Sequence, residues 1–285
     1  MTFHNRREAM RAVLAGRVCV RPAIVSDPLS ARMAEELGFE AGMIPGSDVA
    51  LAVLGAPDIA LVTMSEFVDQ VHRMTRASAL PLVADGDHGY GNALNVRRFI
   101  GELETVGLSA VTIEDTELPA AFAAGRGRLI PLPEAAGKIR AAVAGRQDAG
   151  FAIIGRTSLA LAEGGLAETA ARIRAYETAG ADAIFVQGLQ TRAELDVLAG
   201  AISLPFVLPK PTAALDDEAY LASRQVRLCF PSGPKAITAA LDAAHGALVA
   251  QRRGAARLAL THADLLRRLT RADDYDAARK AFLAD

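Results

Sequence analysis

Acidic side chains follow two apolar segments of the sequence. Asp85 and Asp87 come directly after the segment 81–84, and Glu114 follows the segment 110–113. Like charges gathered at one site repel each other, so this arrangement favours a cation that the carboxylates share. Oxygen ligands without a nearby cluster of Cys or His are typical of Mg²⁺ or Mn²⁺ rather than Zn²⁺. The sequence therefore predicts that these three residues hold a metal.

A second polar group is suited to binding an anionic substrate. Arg156 closely follows the apolar segment 151–154, and a guanidinium binds a carboxylate through two parallel hydrogen bonds. Gly46, Ser47 and Asp48 follow the segment 41–44, and the amides and hydroxyl of such a turn would receive a carboxylate or an oxyanion. We predict that these four residues bind the substrate and that Arg156 and Ser47 take part in catalysis.

The same residues also have a structural interpretation. Asp87 and Glu114 would then form salt bridges with Arg156, and Asp85 would cap a loop. For any one carboxylate, the metal-binding and the structural interpretations are balanced. The presence of all these carboxylates at one site favours the metal-binding interpretation. The glycines of segment 86–91 lack the spacing of a dinucleotide-binding loop, and Asp87 would repel a pyrophosphate, so no nucleotide cofactor is expected.

The elements that must position these residues alternate along the chain. Short apolar or β-branched runs predict strands at residues 18–25, 41–44, 81–84, 110–113, 151–154, 183–186, 205–208 and 226–230. Apolar residues at helical spacing predict helices over residues 28–37, 65–75, 92–106, 132–144, 166–179, 192–199 and 234–252. This alternation is typical of an α/β fold of the closed (β/α)8 TIM type, whose active sites lie at the carboxyl ends of the strands.

Two further helices are predicted after the barrel, at residues 261–269 and 273–283. The expected organisation is one barrel domain over residues 1–285, with the barrel at about 17–252 and a helical extension at about 255–285. Because the barrel is already complete, we expect the extension to pack on a neighbouring subunit of a homo-oligomer. Its apolar face consists of Leu265, Leu266, Leu269, Ala277, Ala278, Ala281 and Phe282.

Composition excludes several classes of partner. The net charge is −2 and 22% of the residues are charged without clustering, so no basic surface for nucleic acid or an anionic membrane is expected. No apolar run approaches the ~18–20 residues that cross a bilayer. The N-terminus lacks the apolar core of an export signal, and Cys19 and Cys229 are expected to be buried free thiols. A cytoplasmic location is therefore predicted.

Four segments resemble the isocitrate lyase and phosphoenolpyruvate mutase superfamily. They read DGDHGYGN at 85–92, TIED at 112–115, IIGRT at 153–157 and AGAD at 179–182, and the resemblance extends over residues 6–253. Segments 27–32, 46–47, 56–58, 65–68 and 112–116 are similar to the pattern of the Mg²⁺-dependent oxaloacetate decarboxylase branch. The resemblance implies a (β/α)8 barrel whose C-terminal helices are exchanged between subunits, usually in a tetramer.

The resemblance also implies a set of metal contacts: Asp85 binds Mg²⁺ directly, and Asp58, Asp87 and Glu114 reach it through water. Ser47 and Arg156 would bind a small 2-oxo acid. The implied reaction is the decarboxylation of oxaloacetate to pyruvate and CO₂ through an enolate that the metal stabilises. The sequence identifies no general acid, so water is expected to protonate the enolate.

The chain departs from the superfamily pattern in two places. The loop after the fourth predicted strand has no Cys, which disfavours cleavage of isocitrate or 2-methylisocitrate. The decarboxylase branch has a Tyr after strand seven and a His after strand eight, whereas this chain has Lys210 and Lys235 in those regions. These lysines would either recognise a second anionic group or lie solvated at the surface.

Two alternatives to oxaloacetate decarboxylation therefore remain. One is the cleavage of a C–C or P–C bond in another small 2-oxo acid by the same kind of site. The other is a catalytically silent barrel that binds a metabolite, although such a barrel has no evident need for a metal cluster.

Overall fold

Eight parallel strands form one sheet in chain order in the computed structural model, which describes residues 2–123, 127–231, 235–252 and 260–283. The strands are β1 (Ala23–Ile24), β2 (Gly42–Ile44), β3 (Leu82–Asp85), β4 (Ala110–Glu114), β5 (Ala152–Ser158), β6 (Ala183–Gln187), β7 (Phe206–Leu208) and β8 (Val226–Cys229). Val20, just before β1, pairs in parallel with Leu228 of β8, so the sheet closes on itself. The predicted α/β barrel is confirmed.

The first six helices are α1 (Phe3–Ala15), α2 (Pro28–Glu36), α3 (Gly46–Val49), α4 (Met64–Thr75), α5 (Ala93–Thr105) and α6 (Leu132–Gly145). The others are α7 (Gly165–Thr178), α8 (Arg192–Ala199), α9 (Glu218–Ser223), α10 (Ala236–Gln251), α11 (His262–Leu269) and α12 (Ala272–Phe282). A π-helical turn, Ala50–Leu54, continues α3. No helix within the described ranges combines the length and apolar character needed to span a membrane.

The predicted helices and strands are confirmed, with shifts at their ends. β1 is much shorter than the predicted strand 18–25, because Pro22 lacks an amide hydrogen and interrupts the ladder of hydrogen bonds. Residue 234, the first of the predicted helix 234–252, lies outside the described residues. Both cysteines are free thiols, and Cys229 is buried while Cys19 is partly exposed.

The inside of the barrel is filled by alternate residues of the strands. Val83 of β3, Ile154 of β5 and Phe185 of β6 belong to this inner cluster. Helix α1, which the sequence did not predict, adds Met10 and Leu14 to it. A larger cluster lies between the sheet and the surrounding helices. Side chains along a strand alternate between its two faces, so every second residue points into the barrel. We call these positions the inner parity, and at the carboxyl ends of the strands they face the barrel mouth.

Candidate active site

Four polar residues at the carboxyl ends of neighbouring strands share the inner parity: Asp85, Glu114, Arg156 and Gln187. Asp85 lies two residues after Val83, and Arg156 lies two residues after Ile154, both of which point into the barrel. Glu114 is paired directly with Arg156 in the register of β4 and β5. The sheet therefore brings the predicted metal ligands and the predicted substrate-binding arginine to the same end of the barrel.

Arg156 is the centre of this group. Its Nη1 atom lies 2.6 Å from both carboxylate oxygens of Asp85, and its Nη2 atom lies 2.8 Å from Oε2 of Glu114. Nη2 also donates a hydrogen bond of 3.1 Å to Oε1 of Gln187. The guanidinium lies 5.1 Å from the centre of the Phe185 ring. The salt bridge between Arg156 and Glu114 that the structural interpretation expected is therefore present. The second carboxylate paired with Arg156 is Asp85, and not Asp87.

The loop after β3 holds the carboxylates of Asp85 and Asp87 in place. The amide of Asp87 donates to Oδ1 of Asp85 at 3.2 Å, and the hydroxyl of Thr112 donates to the same oxygen at 3.2 Å. Asp87 has a φ of +46°, a strained value for a residue other than glycine. A side chain on Gly46 would place its Cβ 3.2 Å from Oδ1 of Asp87, so glycine there permits this close approach.

The carboxylates of this group are costly to ionise together. Burial raises the pKa of Asp87 to about 8, and the charges of Asp85 and Glu114 add to the effect. Burial also raises the pKa of Glu114 to about 7, although Arg156 opposes the rise. The pKa of Asp58 is raised by burial and then by the charge of Asp85. One guanidinium therefore does not neutralise the four carboxylates, and further positive charge would stabilise their ionised forms.

The donor set fits a divalent cation that prefers oxygen. Asp58, Asp85, Asp87 and Glu114 supply only carboxylate oxygens. Burial, together with the neighbouring negative charges, raises the pKa values of Asp58, Asp87 and Glu114. Within the described ranges, no three His, Cys, Asp or Glu side chains are arranged to enclose a metal as they stand. Both oxygens of Asp85 are engaged by Arg156, so a metal would have to share Asp85 with that guanidinium.

A cavity of about 570 Å³ opens beside this group, and its lining includes Ser47, Asp58, Asp85, Arg156 and Lys235. Apolar side chains complete part of its wall, among them Ile24, Met43, Phe185 and Phe230. Asp87 and Glu114 are not among its lining residues. The cavity is large enough for a small organic acid.

The segment after β2 is the short helix α3 rather than the predicted turn, and its surroundings differ from those expected. Ser47 lines the cavity, but Asp48 is 3% exposed and lines a neighbouring cavity of about 880 Å³. The Nζ atom of Lys235 lies 2.5 Å from Oδ1 of Asp48 and 3.1 Å from Oγ of Ser47. The carboxylate of Asp48 is therefore bound to a lysine, and contact of Asp48 with substrate stays a prediction.

A buried network holds the end of β4 against β5 and α7. The Oδ2 atom of Asp115 accepts hydrogen bonds from the hydroxyls of Thr157, at 2.8 Å, and Tyr176, and from Nη1 of Arg172 at 3.1 Å. The amide of Ile130 donates to the carbonyl of Asp115 at 2.8 Å, which ties down the far end of the loop after β4. Three side-chain donors thus reach one buried carboxylate, next to the point where Glu114 is paired with Arg156.

The structure brings together Ser47, Asp58, Asp85 and Arg156 around one cavity and places Asp87 and Glu114 next to it. Sequence reasoning missed Gln187, which continues the inner parity of Phe185 and bonds Arg156. The sequence feature that could have identified Gln187 is its position at the end of a predicted strand, two residues after the apolar Phe185. His88 lines a separate cavity of about 630 Å³ and is not at the site.

The sequence was compared with protein families and with known proteins. Residues 16–251 match the phosphoenolpyruvate phosphomutase family. A protein from Rhodopseudomonas palustris (strain BisA53), named oxaloacetate decarboxylase, is 50% identical over 99% of this chain and 98% of its own length. The match therefore covers nearly the whole length of both chains.

Two solved structures have the same fold. A phosphonopyruvate hydrolase in complex with oxalate and Mg²⁺ is 31% identical, with a TM-score of 0.73 over 97% of this chain and 98% of its own. An oxaloacetate acetylhydrolase in complex with its product oxalate is 25% identical, with a TM-score of 0.76 over 98% of each chain. Both proteins act on small acids.

Proposed function

The chain belongs to the phosphoenolpyruvate phosphomutase family of the phosphoenolpyruvate mutase and isocitrate lyase superfamily, and from this premise we propose that it decarboxylates oxaloacetate to pyruvate and CO₂. It is a carbon–carbon lyase whose reaction depends on a divalent metal. The observation that carries the proposal is the cavity in which Arg156, Ser47 and a surplus of carboxylates meet. The name of the half-identical relative supports the choice of oxaloacetate.

The proposed metal is Mg²⁺, which Mn²⁺ would replace at the same oxygen ligands. Asp85 is the proposed direct ligand, and Asp58, Asp87 and Glu114 are proposed to hold the metal through water. When bound, the cation supplies a Lewis acid for the 2-oxo oxygen and the adjacent carboxylate of the substrate. The Mg²⁺ in the phosphonopyruvate hydrolase structure supports this assignment.

The chain's own residues are proposed to bind and orient the substrate. Arg156 is held by Asp85, Glu114 and Gln187, so its guanidinium is fixed before the substrate arrives. Fixed charge of this kind stabilises negative charge that develops on the substrate without a cost for reorganisation. The backbone amides of Gly46 and Ser47 are proposed to bind the substrate carboxylate. The rings of Phe185 and Phe230 pack edge to face at 5.5 Å and offer an apolar wall that favours neutral CO₂ over a carboxylate.

A screen of 2-oxo acids tests the proposed function. We expect Mg²⁺-dependent turnover of oxaloacetate, loss of turnover with a chelator, and kcat/KM for 2-methylisocitrate and phosphonopyruvate at least about a hundredfold lower. Phosphonopyruvate has no carboxylate on the carbon next to its 2-oxo group, and 2-methylisocitrate has no 2-oxo group. Faster turnover of 2-methylisocitrate would support cleavage of a C–C bond in another acid, and faster turnover of phosphonopyruvate would support cleavage of a P–C bond. No turnover of any acid, with binding retained, would support a silent metabolite-binding barrel.

Helix α10 supports the proposed exchange of C-terminal helices between subunits. None of its 16 residues is buried, although it is rich in alanine, and Leu248 is 62% exposed. In the extension, Leu265 is buried within the chain, whereas Leu269 and Phe282 are 47% and 74% exposed. We propose that a neighbouring subunit covers these apolar surfaces in a homo-oligomer, a tetramer as in the superfamily. The single-domain organisation and the cytoplasmic location stay predictions.

Removing the extension tests the exchange. Truncation after Gly254 should give smaller and less stable particles in light scattering, because the covering apolar surface is lost. Phe282→Ser, which changes one exposed residue of that surface, should weaken association without loss of the barrel's own fold. A truncated protein whose particle mass falls only by the deleted residues would refute the exchange.

A further inference from the structure

The contact between Lys235 and Ser47 joins two parts of the chain that are 188 residues apart. Lys235 precedes α10, lines the proposed substrate cavity and donates to Oγ of Ser47 at 3.1 Å. The Ser47 hydroxyl in turn donates to Oδ1 of Asp48 at 3.3 Å. The lysine side chain is 38% exposed, so its ammonium is in contact with solvent as well as with the site. These contacts place a solvent-exposed ammonium beside a hydroxyl that lines the cavity.

The proposed reaction needs a proton donor, because the departure of CO₂ leaves an electron pair that C3 must share with a proton. Among the described residues that line the cavity, few side chains can give one. Arg156 is a guanidinium that stays protonated and is already paired with two carboxylates. Asp58 and Asp85 belong to the proposed metal set. Lys210 lines the cavity too, but it has no bond to Ser47 within the described ranges.

We propose, on the basis of the proposed decarboxylation, that Lys235 is the proton source of the reaction and acts through the hydroxyl of Ser47. After CO₂ has left, the Ser47 hydroxyl turns from Asp48 toward C3, and its Oγ–H bond breaks as a C3–H bond forms and the enolate collapses to the ketone. The Nζ–H bond of Lys235 breaks at the same time and restores the hydroxyl. The lysine is left as a neutral amine, and solvent returns its proton.

Asp48 gives this arrangement its geometry. Its buried carboxylate accepts from both Lys235 and Ser47 through the same oxygen, Oδ1, and so holds the ammonium beside the hydroxyl. Asp48 thereby directs Lys235 toward Ser47 and away from the carboxylate that leaves as CO₂. A free cation beside that carboxylate would stabilise it and so hinder its loss. Asp48 is a positioning residue in this account.

The reverse of the proton transfer provides a test that does not depend on CO₂ release. If Lys235 and Ser47 deliver a proton to C3, they must also remove one from the methyl group of pyruvate. Wild-type enzyme with Mg²⁺ should therefore exchange the pyruvate methyl protons in D₂O, which ¹H NMR follows as loss of the methyl signal. Lys235→Arg keeps the charge beside Asp48 but replaces the proton donor with a group that does not release a proton.

For Lys235→Arg and Lys235→Gln we expect exchange to fall about a hundredfold or more, a typical contribution of general acid–base catalysis. Release of CO₂ from oxaloacetate should fall much less than exchange, with enolpyruvate appearing as a transient ultraviolet absorbance before it forms pyruvate. Thermal unfolding and oxalate binding, measured on the same samples, establish that each variant is folded with an intact cavity. Using two variants keeps the test open if one of them does not fold.

Three results would overturn the proposal. One is exchange at the wild-type rate in a folded Lys235→Arg. Another is an equal loss of exchange and CO₂ release, which would make Lys235 a binding residue. The third is loss of exchange in Lys210→Met with retention in Lys235→Arg. If the wild type released CO₂ from oxaloacetate no faster than Asp85→Ala does, that result would instead contradict the proposed function itself.

Discussion

Asp85→Ala is expected to abolish catalysis at any practical Mg²⁺ concentration. Asp85 is the proposed direct metal ligand, and its two oxygens also hold Nη1 of Arg156 at 2.6 Å, so one substitution removes the metal and releases the arginine. Asp58→Ala and Asp87→Ala should weaken metal binding more mildly, by about 10–100-fold, because they act through water. Pyruvate formation from oxaloacetate over a Mg²⁺ titration measures both effects.

Asp85→Asn is the matched variant for this comparison. Its amide oxygen can still accept a hydrogen bond from Arg156, but it no longer carries the charge that a divalent cation needs. We expect Asp85→Asn to be as inactive as Asp85→Ala while unfolding closer to the wild-type temperature. Turnover near that of the wild type in Asp85→Ala at low Mg²⁺ would contradict the assignment of the metal ligand.

Arg156→Lys is expected to lower kcat/KM about ten- to a thousandfold, which corresponds to about 1.4–4 kcal/mol. A lysine keeps the charge but loses the planar fork with which Arg156 spans Asp85, Glu114 and Gln187. It also lacks the planar guanidinium proposed to bind the substrate carboxylate. The fold should survive, because the carboxylates retain a cation nearby.

The structural interpretation of Arg156 gives a different result for the same variant. If the guanidinium served only to neutralise Asp85 and Glu114, Arg156→Lys would lower the melting temperature and leave the specific activity of the folded protein unchanged. Thermal unfolding and steady-state kinetics on one preparation, at saturating Mg²⁺, separate the two. A stable variant with unaltered kcat/KM would exclude both roles.

The sequence predicted the barrel and the end of it that carries the chemistry because both depend on local patterns. Apolar runs mark strands, and the polar residue that ends such a run falls at the carboxyl edge of a parallel sheet. Asp85, Glu114 and Arg156 were found in this way, and the parity of the inner cluster places them together. Gln187 obeys the same rule and was overlooked because its residue type suggested no reaction.

Other features depend on contacts that a single segment does not encode. The pairing of Lys235 with Ser47 and Asp48 arises only when the strands close into a barrel. The choice of Asp85 rather than Asp87 as a partner of Arg156 follows from the turn at Asp87, whose positive φ no composition rule predicts. Helix α1 was missed because charged residues interrupt its apolar pattern, although Met10 and Leu14 are buried in the barrel.

The products formed from [¹³C₄]oxaloacetate test the central claim most directly, because they report which bond breaks. Wild-type enzyme with Mg²⁺ should give labelled pyruvate and CO₂ in equal amounts, as ¹³C NMR detects, and only the carboxyl group at C4 should leave. Asp85→Ala under the same conditions supplies the rate of the uncatalysed reaction. Labelled oxalate and acetate in place of pyruvate would show hydrolysis of the C2–C3 bond and would contradict the assignment of this protein as a decarboxylase.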